Sequence, residues 1–195
     1  MSVMATDNFD RANGGLGASW TTTAGFNAPQ IASNVVNALA VAADACAYYS
    51  TIVWPNDQWS EIKYVSAVTS AGGCLATVRT SGADGTFYTG GLFAATFGTG
   101  KAIRIERWLA GAILTIATGT ATVNAGDVMR LEAQGTTLSL RLNGRQVLSV
   151  INNVIASGSA GLFTTDDTGL VGDHQLDNWQ GGNFKTEFLM PQVLT

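Results

Sequence analysis

Hydrolysis of a glycosidic bond takes two carboxyl groups held roughly 5 to 9.5 Å apart across it, so the acidic residues come first. The glutamates are Glu61, Glu106, Glu132 and Glu187, and none lies within five residues of another. Asp57 and Glu61 would share one face of a strand, but four residues of strand separate them by about 13 Å. That span suits neither the retaining nor the inverting geometry. Nucleophilic catalysis by serine or cysteine needs a base, and His174 is the single histidine. It sits in Val171-Gly172-Asp173-His174, which reads as a turn, so a solvated loop residue is expected. One histidine and no Cys-x-x-Cys leave nothing from which to assemble a zinc site. The stretch Gly98-Thr99-Gly100-Lys101-Ala102 fails as a phosphate loop, because Ala102 stands where a hydroxyl is needed and no helical pattern follows. The chain reads as non-catalytic.

Binding chemistry is better served. The chain has five tryptophans, and an exposed indole can stack on the apolar face of a sugar ring. Trp54-Pro55-Asn56-Asp57-Gln58-Trp59 combines two indoles with amide and carboxylate groups, the pairing of stacking and bidentate polar contact that a neutral saccharide requires. Trp54, Asn56, Asp57, Gln58 and Trp59 are therefore the glycan-binding candidates, with Trp108 beside Arg107 as a second place. For Trp59, packing inward is the competing expectation. Nucleic acid is excluded as a partner: ten Lys and Arg against fourteen Asp and Glu give a net charge of −4, and no basic stripe exists to neutralise phosphates. No run of 18 to 20 apolar residues suggests a membrane-spanning helix. Met1 to Asp7 lacks the basic and apolar regions of a secretory signal, which predicts synthesis and folding in the cytoplasm. There Cys46 and Cys74 are expected as two buried, reduced thiols, with a disulfide between them as the alternative.

Strands must position these residues. Helical periodicity is almost absent, while short alternating or β-branched runs recur between Gly, Asn and Asp. Strands are predicted over residues 58–68, 74–79, 103–106, 113–117, 158–164 and 175–179. Residues 34–49 are alanine-rich, yet their valines and the Tyr48-Tyr49 pair favour strand over helix. From Gly126 to Val150, Met129, Leu131 and Ala133 alternate with polar residues, as do Leu138, Leu140 and Leu142, with turns at Gln134-Gly135 and Asn143-Gly144. A three-residue loop with Gly144 in the left-handed region would set Leu138 opposite Leu148 and collect Leu138, Leu140, Leu148 and Val150 on one face. A two-residue loop would instead set Leu140 opposite Val147. Gly72-Gly73 and Gly90-Gly91 read as turns. Gly181-Gly182 reads as the boundary between a single domain, residues 1–182, and a C-terminal tail, residues 183–195. That tail carries Phe184, Phe188, Leu189 and Met190, too apolar for a solvated end. It is expected either to pack on its own domain or to dock on a neighbouring subunit.

Several segments together carry a resemblance: Asp7-Asn8-Phe9-Asp10-Arg11 with Gly15-Leu16-Gly17 and Trp20; Asn56 to Glu61; Gly126-Asp127 through Arg130-Leu131-Glu132 to Asn143-Gly144; Gly158 to Leu162; and Leu176-Asp177-Asn178-Trp179. Over residues 7–182 the chain resembles the concanavalin A-like lectin/glucanase (laminin-G-like) jelly roll, above all the versions in bacteriophage structural proteins and bacterial surface modules. The resemblance implies an all-β, two-sheet antiparallel sandwich with first and last strands adjacent, Trp20 and Trp179 in the core, and frequent glycan binding. The Glu-x-Asp-x-Glu array of the family's hydrolases is missing. No cofactor is required; calcium is the one the resemblance suggests, with Asp7, Asp10 and Asp177 as its ligands by position and Asp166-Asp167 second. The competing reading has Asp7 and Asp177 capping turns or pairing with Arg11 or Arg130. Taken together, these features predict a non-catalytic virion-associated structural or adhesion protein, a capsid decoration or tail component located on the virion surface. Its expected partners are other virion proteins or further copies of itself, and cell-surface glycans. The alternative is a stand-alone carbohydrate-binding module or lectin, and after that a divergent glycoside hydrolase.

Overall fold

The computed structural model describes residues 1–38, 43–67, 72–93, 96–166 and 172–184. Sixteen strands follow one another among them: β1 (Ser2–Asp7), β2 (Gly14–Gly15), β3 (Trp20–Thr22), β4 (Gln30–Ala32), β5 (Val35–Asn37), β6 (Ala43–Tyr49), β7 (Gln58–Ala67), β8 (Gly73–Ser81), β9 (Thr86–Phe93), β10 (Gly98–Leu109), β11 (Ala112–Val123), β12 (Val128–Gln134), β13 (Thr137–Leu142), β14 (Arg145–Ile151), β15 (Ser159–Asp166) and β16 (His174–Asn183). They form two antiparallel sheets. The first runs β14-β13-β12-β7-β16-β5-β4-β2, with β1 also on β16, and the second β11-β10-β9-β8-β15-β6-β3. The terminal strands β1 and β16 are adjacent, Asp7 standing opposite Trp179.

Alternation explains the layering. In β12 and β13, Met129, Leu131, Ala133, Leu138 and Leu140 are fully buried between the sheets, whereas Glu132, Arg130 and Arg141 alternate with them on the outer face and pair there. The central rings are Trp179, Trp20, Trp54 and Tyr49: Trp179 stacks on Tyr49 at 5.4 Å and meets Trp20 edge-on at 4.7 Å. The indole of Trp179 donates to the Ser60 hydroxyl at 2.9 Å, which donates in turn to the Gly161 carbonyl at 2.6 Å, joining the two sheets by a buried polar link. A second cluster, Cys46, Leu75, Phe87, Trp108 and Phe163, lies on the other face of the second sheet under Phe26 and Phe93.

The hairpin after β13 combines features of both expected loops. Leu142 stands opposite Arg145, so the turn is the two-residue Asn143-Gly144, with φ of 50° and 79°. An irregularity after the Arg141–Gln146 pair then shifts the register, and Leu140 faces Leu148 while Leu138 faces Val150. The four apolar residues still share one face. Burying that stripe matters more than the loop, and a one-residue bulge in β14 supplies the parity that the turn does not.

The paired glycines differ from expectation. Gly90 and Gly91 lie inside β9, and Gly181 and Gly182 inside β16, where Gly181-Gly182 was expected as a domain boundary. A Cβ on Gly181 would stand 2.5 Å from the Trp54 ring and 2.8 Å from that of Trp179; one on Gly90 would stand 3.0 to 3.1 Å from Leu140 and Leu131. Gly90 makes room for leucines of the facing layer, and Gly181 for the ring of Trp179 on its own strand and that of Trp54 in the loop before β7. Both cysteines are free and buried.

Candidate functional site

The loop Val53–Asp57 enters β7 at one end of the sandwich, where the β12–β13 turn and residues 152–158 also arrive. Arg79, near the end of β8, holds them together. Its guanidinium is buried and donates from Nε to the Asn56 carbonyl at 3.0 Å, from Nη1 to Ile155 at 2.9 Å and from Nη2 to Gly135 at 2.7 Å. Burial lowers its pKa from the ordinary arginine value, and the nearby Asp57 carboxylate opposes that shift. Arg79 has a φ of 54°, a strained conformation for a side chain of this size, and so turns off the strand toward the loops. Gln58 adds a second tie: its amide nitrogen donates to the carbonyls of Pro55 (2.7 Å) and Gly158 (2.8 Å), and its amide oxygen accepts the Arg79 N–H at 3.1 Å.

On this base lies an open cleft of about 340 Å³ lined by Asn56, Asp57, Arg79, Gly135, Thr136, Asn153 and Ala156. Asn56, Thr136 and Asn153 are exposed. One oxygen of Asp57 accepts the Gly135 N–H at 2.7 Å, and its side chain remains 47% exposed. The cleft thus offers an anionic acceptor, two primary amides and a hydroxyl, on three loops whose backbones are tied together by the buried Arg79 guanidinium.

The expected residues part company here. Asn56 and Asp57 line the cleft, whereas Gln58 is fully buried beneath it. None of the three candidate indoles is a stacking platform. Trp54 is 8% exposed, meets Trp179 edge-on at 6.2 Å and donates to the Tyr49 carbonyl at 2.8 Å. Trp59 is buried with the Arg130 guanidinium 4.5 Å above its ring. Trp108 stacks on Phe87 at 5.5 Å and is covered by Phe26. Trp54 packs in the core and Trp108 beneath Phe26, while Trp59 lies flat on the outer face of the first sheet under Arg130; in each place the large apolar area of the indole is worth more buried than exposed. Sequence reasoning missed Arg79, Thr136 and Asn153, which stand far along the chain from Asn56 and carry no local motif.

The carboxylates that catalysis would need are engaged. Arg130 contacts Glu61 at 2.6 Å and Glu132 at 3.7 Å, and Arg141 contacts Glu132 at 2.8 Å. Glu106 is buried beside Arg104 at 3.5 Å; burial raises its pKa despite that cation. Glu187 lies outside the described residues. His174 corrects the expectation of a solvated loop: it begins β16, opposite Ala67, and is buried with Nδ1 3.5 Å from the Asp166 carboxylate.

Asp7, Asp10 and Asp177 do not fit a calcium ion as a set. Both Asp7 oxygens are taken: Oδ1 accepts the Phe9 N–H at 2.9 Å and Arg11 Nη1 at 2.7 Å, and Oδ2 accepts Arg11 Nη2 and the Trp20 indole at 2.8 Å each. Burial would raise the Asp7 pKa, but these bonds, led by Arg11, outweigh it and hold the carboxyl below its ordinary value. A cation binding there would have to displace a guanidinium. Asp177 has one buried oxygen without a hydrogen-bond partner, and its pKa is raised by burial and by the charges of Asp10 and Asp7. Asp166 accepts the backbone N–H groups of Gly172 and His174, and Asp167 lies outside the described residues. Among the described residues no three His, Cys, Asp or Glu side chains converge to hold a metal. Of the tail, Phe184 is half-buried, while Phe188, Leu189 and Met190 lie outside the described residues.

No protein-family model matches the sequence, and no curated protein matches it. Solved structures do resemble the fold. A carbohydrate-binding module, CBM66 from Bacillus subtilis, is similar with a TM-score of 0.61 at 14% identity, over 83% of this chain and 95% of that one. The lumenal domain of VIP36 in a Ca²⁺- and mannose-bound form gives 0.60 at 9% identity, over 88% and 86%. A β-1,3-1,4-glucanase (lichenase) from a mouse hindgut metagenome gives 0.63 at 9% identity, over 92% and 99%. Together with the two-layer topology and the adjacent terminal strands, these likenesses give the chain the concanavalin A-like lectin/glucanase jelly-roll fold.

Proposed function

We propose that the protein is a non-catalytic carbohydrate-binding module or lectin whose site is the cleft at Asn56, Asp57, Thr136 and Asn153. The observation that carries this reading is the Arg79 scaffold, which ties together three loops whose four hydrogen-bonding side chains surround one open concavity. Amides and a carboxylate suit vicinal sugar hydroxyls, since each can take two bonds at once, and the loops that carry them are already tied by Arg79. Support comes also from the neighbours, which include a carbohydrate-binding module and a lumenal domain in its Ca²⁺- and mannose-bound form. A hydrolase is the weaker reading, because every described glutamate is paired with an arginine. A virion-associated role has no counterpart among these neighbours, and the carbohydrate-binding reading is preferred to it. Calcium, present with mannose in the VIP36 structure, would have to do without Asp7 here.

A glycan array followed by titration calorimetry tests the proposal. The wild-type chain should bind a defined set of saccharides, and Asn56→Ala and Asn153→Ala should each weaken binding about tenfold, the worth of a hydrogen bond left unmade, with unchanged melting. An array with no binding, or binding indifferent to both substitutions, would refute it.

A further inference from the structure

The second sheet ends at β11, which among the described residues pairs only with β10 and so leaves its other backbone edge open. Proteins ordinarily blunt such an edge with charge, proline, shortness or a bulge. The twelve residues of β11, AILTIATGTATV, include no charged residue and no proline. There is one bulge, at Ile116, between the Ile105–Ala117 and Glu106–Thr115 pairs. Beyond it, from Ala117 to Ala121, pairing with β10 is regular. The other sheet edges are protected: β2 and β3 are two and three residues long, β14 begins with Arg145 and carries its own bulge, and β1, which pairs only with β16, is six residues long, bulges at Met4 and ends on Asp7.

The regular stretch Ala117-Thr118-Gly119-Thr120-Ala121 reads the same in both directions. An antiparallel pairing of two identical strands about a two-fold axis sets each residue opposite its mirror position in the sequence. With the axis at Gly119, Thr118 meets the partner's Thr120, and Ala117 meets the partner's Ala121. The faces agree with this. A Cβ on Gly119 would point at Leu148 and Ile103 in the core, and Ala117 and Ala121 pack on that core, while Thr118 and Thr120 are exposed. The outer face would carry a threonine ladder, and cross-strand Thr–Thr pairs stabilise sheets. The inner face would carry only glycine and alanine, so no bulky side chain of this stretch crowds the seam between the two strands.

We infer that β11 is a homodimer interface, two copies joining edge to edge, antiparallel about Gly119, to continue their second sheets as one. The Asn56–Asp57 cleft lies at the end of the sandwich that holds the β10–β11 turn, where Gly111 donates to Gly85. If that cleft binds glycans as proposed above, the dimer presents two such sites at opposite ends and can bridge separate chains. The pairing itself does not depend on that reading.

Sedimentation velocity on the full chain through the micromolar range tests the inference. The wild-type mass should be twice that of one chain. T118K/T120K sets lysine opposite lysine on both sides of the axis and should give a monomer with unchanged circular dichroism and melting. T118K/T120E sets lysine opposite the partner's glutamate and should restore the dimer. Should the double-lysine chain not fold, T118E/T120E makes the same test with the sign reversed. A monomeric wild type, a dimer that persists with like charges, or a charge-swapped chain no more dimeric than the like-charged one would each overturn the inference, whatever the glycan array shows.

Discussion

Replacing Arg79 by methionine, of similar length and without charge or donors, is the sharpest test of how the cleft is built. Three backbone carbonyls, on Asn56, Gly135 and Ile155, lose a charged donor at 2.7 to 3.0 Å. A hydrogen bond to a charged group contributes about 1.5–3 kcal/mol, and an orphaned buried acceptor costs about 1–3 kcal/mol. Three such losses would sum to well over 5 kcal/mol, but two effects offset them. The buried cation no longer needs desolvation, as its lowered pKa records, and water can reach the carbonyls of Asn56 and Gly135, which are exposed residues. The expected net loss is about 3–5 kcal/mol, or a melting temperature lower by about 6–20 °C for a domain of this size. Urea unfolding followed by circular dichroism reads it directly. Arg79→Lys keeps the charge but reaches fewer carbonyls, and should fall between the two. A loss below about 1 kcal/mol for Arg79→Met, or glycan affinity unchanged in a folded variant, would refute the scaffold argument.

Other outcomes follow from the same geometry. Gly144→Val should lose about 1 kcal/mol or more, because φ at 79° is strained for a β-branched residue; an unchanged melting temperature would contradict the turn. Burial pushes the Cys46 thiol up to about 12 and the Cys74 thiol well above its ordinary value, so neither should react with a thiol reagent at pH 8 until the chain is unfolded, and rapid native labelling would count against the buried core. Asp7→Asn should destabilise at pH 7 by roughly 1–3 kcal/mol. The folded Asp7 pKa is depressed, so its contribution is present above the ordinary carboxylate range and lost as pH falls through the folded value. The wild type and the variant should therefore converge below about pH 4. Because Arg11 already occupies Asp7, EDTA should leave the melting temperature unmoved, and a drop on chelation that calcium reverses would show a cation site these contacts do not explain.

Period-two alternation determined the all-β class and most strand positions from the sequence alone, because a strand with one face buried must repeat every second residue. It also identified the buried face of the Leu138–Val150 hairpin, whose stripe survives the shift in register. The spacing of the glutamates ruled out an adjacent acid pair, and the structure then adds an arginine beside each described one. Asn56 and Asp57 were legible because a polar turn between two strands marks a surface loop.

Only the tertiary structure decided what faces what. Alternation assigns a residue to one side of a sheet but cannot say whether another layer, a loop or water covers that side, so Trp54, Trp59 and Trp108 read as binding surface and prove to be packing. The glycines of β9 and β16 show the same effect: their spacing is that of turns, but their reason is a bulky side chain packed against them, leucines of the facing layer at Gly90 and indoles at Gly181. Arg79 carries no local signal at all, since its three acceptors come from segments 23, 56 and 76 residues away. Nonlocal contacts of that kind exist only once the two sheets have closed.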